Sequence, residues 1–121
     1  MWCEYSDDFF AFYSRYIENQ RSFQNVHGIL ANGVPPKNAY TVSCIPWVEF
    51  SHFAVHSFEN KDYYFPSIEA GKFIEKEGQL IMPLSITCHH ATTDGYHIKC
   101  FIDSFYTEMD LLCEMINFKM K

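Results

Sequence analysis

The chain has 121 residues, 48% of them hydrophobic and 20% charged, which is the composition of one globular domain and not of a disordered segment. Nine Lys+Arg against 15 Asp+Glu give a net charge of −6, which argues against a nucleic-acid partner. The five cysteines are odd in number and include no Cys-x-x-Cys pair, so a disulfide framework is not expected.

The amino terminus, Met1-Trp2-Cys3-Glu4-Tyr5-Ser6-Asp7-Asp8, is acidic where a signal peptide would be basic, and no apolar run approaches the length of a membrane span. These features point to a cytoplasmic protein with no membrane partner. Phe9, Phe10, Phe12, Tyr13 and Tyr16 recur at helical spacing, and Ser6-Asp7-Asp8 before them suits a helix start, so a helix is predicted from about Ser6 to about Gln24. Asn32 to Asn38, with one glycine and two prolines, reads as a loop. Tyr40 to Ile45 reads as a strand closed by Pro46, Phe50 to Val55 as a second short strand, and Glu59-Asn60-Lys61-Asp62 as a polar turn.

Ser67–Lys76 and Gln79–His89 are predicted as two long strands joined through Glu77-Gly78. Alternation places Leu80, Met82, Leu84, Ile86 and Cys88 on one face, and His90 with them if the strand reaches that far, with His89 pointing the other way. From Tyr96 onward, Ile98, Ile102, Phe105, Met109 and Leu112 form a helical stripe. His89-His90-Ala91-Thr92-Thr93-Asp94-Gly95 thus falls at a strand-to-helix junction, where rigid elements fix side chains and the turn presents them.

That His-His-x-x-x-Asp-Gly run is shared by several coenzyme A-dependent acyltransferases and by peptide-synthetase condensation domains. Its surroundings narrow the choice. Trp2-Cys3-Glu4-Tyr5, Asp7-Asp8-Phe9, the run Val42-Ser43-Cys44-Ile45-Pro46-Trp47-Val48-Glu49-Phe50, Gly71-Lys72-Phe73, Met82-Pro83-Leu84-Ser85-Ile86 and Tyr96-His97 stand around it in order. From Trp2 to about Met115 the chain resembles the carboxyl-terminal part of chloramphenicol acetyltransferase, with the family's amino-terminal part absent.

The resemblance implies an α/β fold, a mixed sheet with helices packed on one side, as a single domain over residues 1–121. It implies acetyl transfer from acetyl-coenzyme A to a hydroxyl of chloramphenicol or a similar acceptor. His90 would be the general base, a task suited to a side chain that ordinarily titrates near neutral pH. Ser43 would donate to the tetrahedral oxyanion, and Asp94 would hold the turn, in the family through an arginine. With that arginine absent, Lys99, Arg15 or Arg21 is the expected partner. Phe53, Phe73 and Lys72 match the coenzyme site, and Trp47 and Val55 the acceptor region or its support. The family assembles as trimers with the site between subunits, so self-association is expected. Two departures stand out: Thr92-Thr93 replaces the usual Val-Cys, and Glu69 falls where a small hydroxyl residue helps organise the acceptor site.

Two other readings accompany this one. A truncated or split remnant would assemble but transfer nothing. A zinc site built from His89, His90, Asp94 and His97 with Cys88 or Cys100 is opposed by the spacing, and by alternation setting His89 and His90 on opposite faces.

Overall fold

The computed structural model describes residues 1–28, 30–54 and 64–119, so the predicted contribution of Val55 and the predicted turn at 59–62 lie outside the described residues. The chain divides into two compact units, Met1–Ala39 and Tyr40–Lys121.

In the first unit, α1 runs Phe9–Phe23. It begins at Asp8, whose carboxylate accepts from the Phe10 and Ala11 amides and so satisfies donors that the first helical turn leaves unpaired. The aromatic stripe that predicted this helix is its most conspicuous surface. Phe9 and Tyr13 stack at 6.1 Å, and Phe9, Tyr13 and Tyr16 are all exposed. Asn32 clamps the amino terminus, accepting from the Trp2 amide at 2.9 Å and donating to the Trp2 carbonyl at 2.6 Å.

The second unit carries a three-stranded mixed sheet of β1 (Thr41–Cys44), β2 (Ser67–Ala70) and β5 (Leu84–Thr87), a hairpin of β3 (Ile74–Lys76) and β4 (Gln79–Ile81), and the helix α2 (Gly95–Lys119). The strand β1 runs parallel to β2, and β2 antiparallel to β5. The two long strands expected at 67–76 and 79–89 are each broken. Gly71-Lys72-Phe73 separates β2 from β3, and Met82-Pro83 separates β4 from β5. The proline has no amide to donate to a ladder, and Gly71 is where the Phe50 ring and Pro83 crowd the backbone: a Cβ there would stand 2.7 Å from each. No strand forms at 50–54. Leu84 and Ile86 do share a face, but β4 and β5 belong to different sheets, so the single apolar face expected from Leu80 to Cys88 does not exist as one surface.

The hairpin turn is as the sequence suggests. Lys76 pairs with Gln79, leaving Glu77 and Gly78 as a two-residue loop with φ of 54° and 78°. Two successive positive φ values are what a turn matching the strand twist requires, and glycine takes the second at no steric cost.

Register gives the three-stranded sheet two unlike faces. One carries the rows Thr41–Ser67–Thr87 and Ser43–Glu69–Ser85; the other carries Val42–Ile68–Ile86 and Cys44–Ala70–Leu84. Every side chain on the first bears oxygen, and none on the second does. The apolar face is only partly covered, with Val42 66% exposed, and among the described residues no hydrophobic side chain is fully buried. The stripe of α2 is likewise open at Ile102, Phe105 and Met109.

Candidate active site

The hydroxyl-rich face holds the one fully buried charged side chain among the described residues, Glu69, at 2% exposure. It sits on the central strand with Ser43 beside it on β1 and Ser85 beside it on β5. Ser67, two residues back on the same face, donates its hydroxyl hydrogen to Glu69 Oε1, while Glu69 Oε2 is buried without a hydrogen-bond partner. Ser85 turns away and donates to the Phe53 carbonyl at 2.5 Å. This bond brings residue 53 over the polar face, and the Phe50 ring, 5.5 Å from that of Phe53, closes against Gly71. Ser43 remains exposed.

β5 leads from this row into the histidine motif. The strand stops at Thr87, so neither His89 nor His90 is a strand residue, and the alternation that set them on opposite faces does not apply. Both lie in a turn built on one acceptor: the His89 carbonyl receives the Thr92 amide at 3.0 Å, the Thr93 amide at 3.1 Å and the Thr92 hydroxyl at 3.0 Å. Thr92, one of the two departures inside the motif, thus adds a bond that an apolar residue would lack.

The turn assigns the two imidazoles opposite tautomers. His89 Nδ1 accepts from the Ala91 amide at 3.1 Å, so its proton resides on Nε2. His90 Nδ1 stands 3.2 Å from the Thr93 carbonyl, which can only accept, so Nδ1 carries the proton and Nε2 keeps its lone pair. His90 is exposed, and the His89 ring meets Tyr64 edge-on at 4.8 Å. In the neutral rings this geometry leaves Nε2 of His90 as the acceptor and Nε2 of His89 as the donor.

Asp94 opens α2. Its carboxylate accepts from the Tyr96 amide at 3.0 Å, the His97 amide at 3.2 Å and His97 Nδ1 at 2.6 Å. The His97 backbone and side-chain hydrogen bonds, with smaller contributions from the His97 charge and the Tyr96 amide, hold its pKa below the ordinary 3.8. The expected partners are corrected accordingly: Lys99 pairs with Asp103, Arg15 with Glu4 at 3.5 Å, and the carboxylate is met by His97, three residues along its own helix. A capping Asp followed at three residues by a histidine is the signal that would have found this partner.

The remaining candidates are placed as follows. Phe73 is 61% exposed and Trp47 76% exposed, while the Lys72 amide donates to the Val48 carbonyl at 2.7 Å, tying the segment after β2 to the segment after β1. All five cysteines are free thiols. Among the described residues no group of three or more His, Cys, Asp or Glu side chains is gathered closely enough to hold a metal ion, and no helix is long and apolar enough to cross a membrane.

The family profile of chloramphenicol acetyltransferase matches residues 1–106. The chain belongs to the chloramphenicol acetyltransferase family. It is 36% identical over 103 residues to the chloramphenicol acetyltransferase of Clostridium butyricum, covering 85% of this chain and 47% of that protein. It is 32% identical over 119 residues to chloramphenicol acetyltransferase 3 of Escherichia coli, covering 98% of this chain and 53% of that protein. A solved chloramphenicol acetyltransferase structure superposes with a TM-score of 0.58 at 26% identity, over 80% of this chain and 48% of that one, so the α/β mixed-sheet fold is the acetyltransferase fold. The chain spans about half the length of the curated relatives it matches.

What sequence reasoning missed is the hydroxyl face as a unit. Its signal was present: Thr41-x-Ser43, Ser67-x-Glu69 and Ser85-x-Thr87 each put oxygen at alternate positions of a predicted strand, and strand alternation turns such a pattern into one surface.

Proposed function

We propose that this chain supplies the base and oxyanion side of an acetyl-transfer site that moves acetyl from acetyl-coenzyme A to a hydroxyl of chloramphenicol or a similar acceptor. The observation that carries the reading is His90 within its motif, exposed, with Nδ1 3.2 Å from the Thr93 carbonyl, a contact that in the neutral ring leaves Nε2 to accept. The acceptor hydroxyl attacks the thioester carbonyl as His90 Nε2 takes its proton. A carbon–oxygen bond forms, the tetrahedral intermediate collapses, the carbon–sulfur bond breaks, and coenzyme A leaves as the thiol with the proton returned from His90. Ser43, exposed beside Glu69, donates to the oxyanion; such a donor typically lowers the barrier by about 3 kcal/mol. Asp94 acts on neither substrate and instead fixes the turn that aims His90.

Phe53, Phe73 and the exposed Lys72 are assigned to coenzyme contacts, the lysine toward phosphate, and Trp47 and Val55 to the acceptor region. The exposed rings of Phe73 and Trp47 suit side chains that await a ligand or a neighbouring subunit. The half-covered apolar sheet face supports assembly as a homo-oligomer, a trimer by family analogy, since large apolar patches are rarely left to solvent. The absence of a spanning helix among the described residues and the unpaired thiols support a cytoplasmic location.

One observation favours a second reading, an assembling remnant without activity: no described hydrophobic side chain is fully buried in the chain by itself. Thiol release from acetyl-coenzyme A, with and without chloramphenicol, separates the two. Acceptor-dependent release that falls by a factor of about 100 or more in His90→Ala supports the first. Folded protein giving no release above the variant supports the second.

A further inference from the structure

We propose that Glu69 selects the acceptor, and that the hydroxyl compound acetylated at this site carries an ammonium group that takes the free oxygen of Glu69. The inference rests on the acetyl-transfer reading above and concerns what that site accepts.

Glu69 is 2% exposed, one carboxylate oxygen is engaged by Ser67, and the other has no donor. An unmet acceptor of this kind is costly to bury, and a charged one more so. The neighbouring hydroxyls do not relieve it: Ser85 spends its hydrogen on the Phe53 carbonyl, and Ser43 is exposed. Glu69 is also the direct register neighbour of Ser43, the proposed oxyanion donor, across a strand spacing of about 4.8 Å. A bare carboxylate there opposes the negative charge that develops in the transition state. A cation on Oε2 removes that opposition and satisfies the orphan oxygen in one contact. Aromatic rings stand near this end of the strand, Phe50 against Gly71 with Phe53 5.5 Å from it, and ring faces attract ammonium groups.

The test uses two matched acceptors. One is chloramphenicol. The other is the amine left when its dichloroacetyl group is removed, N,N-dimethylated so that only its hydroxyls accept acetyl. Ester formation and thiol release are measured for the wild-type chain, Glu69→Thr and Glu69→Gln, and equilibrium binding of both acceptors is measured by calorimetry. Circular dichroism establishes that each variant is folded, and the near-isosteric Gln variant carries the comparison if the Thr variant is not. The expected result is a wild-type preference for the ammonium compound of about tenfold or more, in kcat/KM and in Kd, lost in Glu69→Gln and reversed in Glu69→Thr. Binding that follows Glu69 in this way without turnover upholds the selectivity and withdraws the catalytic reading. Turnover with a preference for chloramphenicol, or with the same preference in all three proteins, overturns the selectivity and leaves acetyl transfer standing. Neither binding nor turnover of either compound by any of the three overturns both.

Discussion

The two faces of the three-stranded sheet are covered in the reverse of the usual order. The face made of Thr41, Ser43, Ser67, Glu69, Ser85 and Thr87 holds the most deeply buried charged group among the described residues, whereas the face made of Val42, Cys44, Ile68, Ala70, Leu84 and Ile86 contains no fully buried residue. A sheet stabilised by its own chain buries its apolar side first, since that burial drives folding. Here the chain ties Phe53 to Ser85 of the polar side, and sets Phe50 against Gly71 at the end of its central strand. The difference sets the two sides apart: the polar side buries a carboxylate among hydroxyls, and the apolar side leaves Val42 66% exposed.

The comparison breaks most readily at Ile68. If the apolar face is covered in the assembled protein, Ile68→Asp buries an unpaired charge there and should cost about 3 kcal/mol or more, abolishing association in sizing chromatography. A face that is bare in solution would absorb the same change within about 0.5 kcal/mol, with no change of size. On the other side, Gly71→Ala should cost about 2 kcal/mol by denaturant titration, because the new Cβ meets the Phe50 ring and Pro83 at 2.7 Å and must push both aside. Ser67→Ala should cost about 1 kcal/mol, leaving both oxygens of Glu69 unmet, and in the double variant with Glu69→Gln the penalty should shrink.

The smallest effect belongs to the junction that joins the polar face to α2. Asp94→Ala should lower the helical circular dichroism signal, and Asp94→Asn should lower it less. The pH dependence has a fixed sign. The folded pKa of Asp94 lies below 3.8, so its contribution is fully present above that value and is lost as pH falls through the folded pKa. Acid titration of the wild type should show α2 fraying below pH 3.8, and the Ala variant should lack that component.

Much of this was legible in the sequence because the signals were local. Asp8 before an aromatic stripe set α1, Glu77-Gly78 set the hairpin, Asp94-Gly95 before a helical stripe set α2, and the family resemblance named the motif. The two strand breaks were not read, although Gly71 and Pro83 marked them, because periodicity ran through both. The position of His90 went with them: counting alternation past Thr87 extended a strand that had already ended. The buried state of Glu69 was beyond sequence reasoning for another reason. A glutamate on a strand is ordinarily solvated, and only the register of three separate segments, with β1 and β2 set far apart in the chain, places it among hydroxyls.

The hairpin has a consequence for how quickly that register is reached. β3 and β4 lie within the connection between β2 and β5, residues 71–83, and close through a two-residue turn. A hairpin of this kind forms in roughly 1–10 μs, and once it has, Ala70 and Leu84 are held near one another without the entropy of closing a free loop. Glu69 and Ser85 are then neighbours before β1 arrives. Ser43 has the longer connection to close, from β1 to the parallel β2, so the joining of β1 to a β2–β5 pair is the expected slow step of folding.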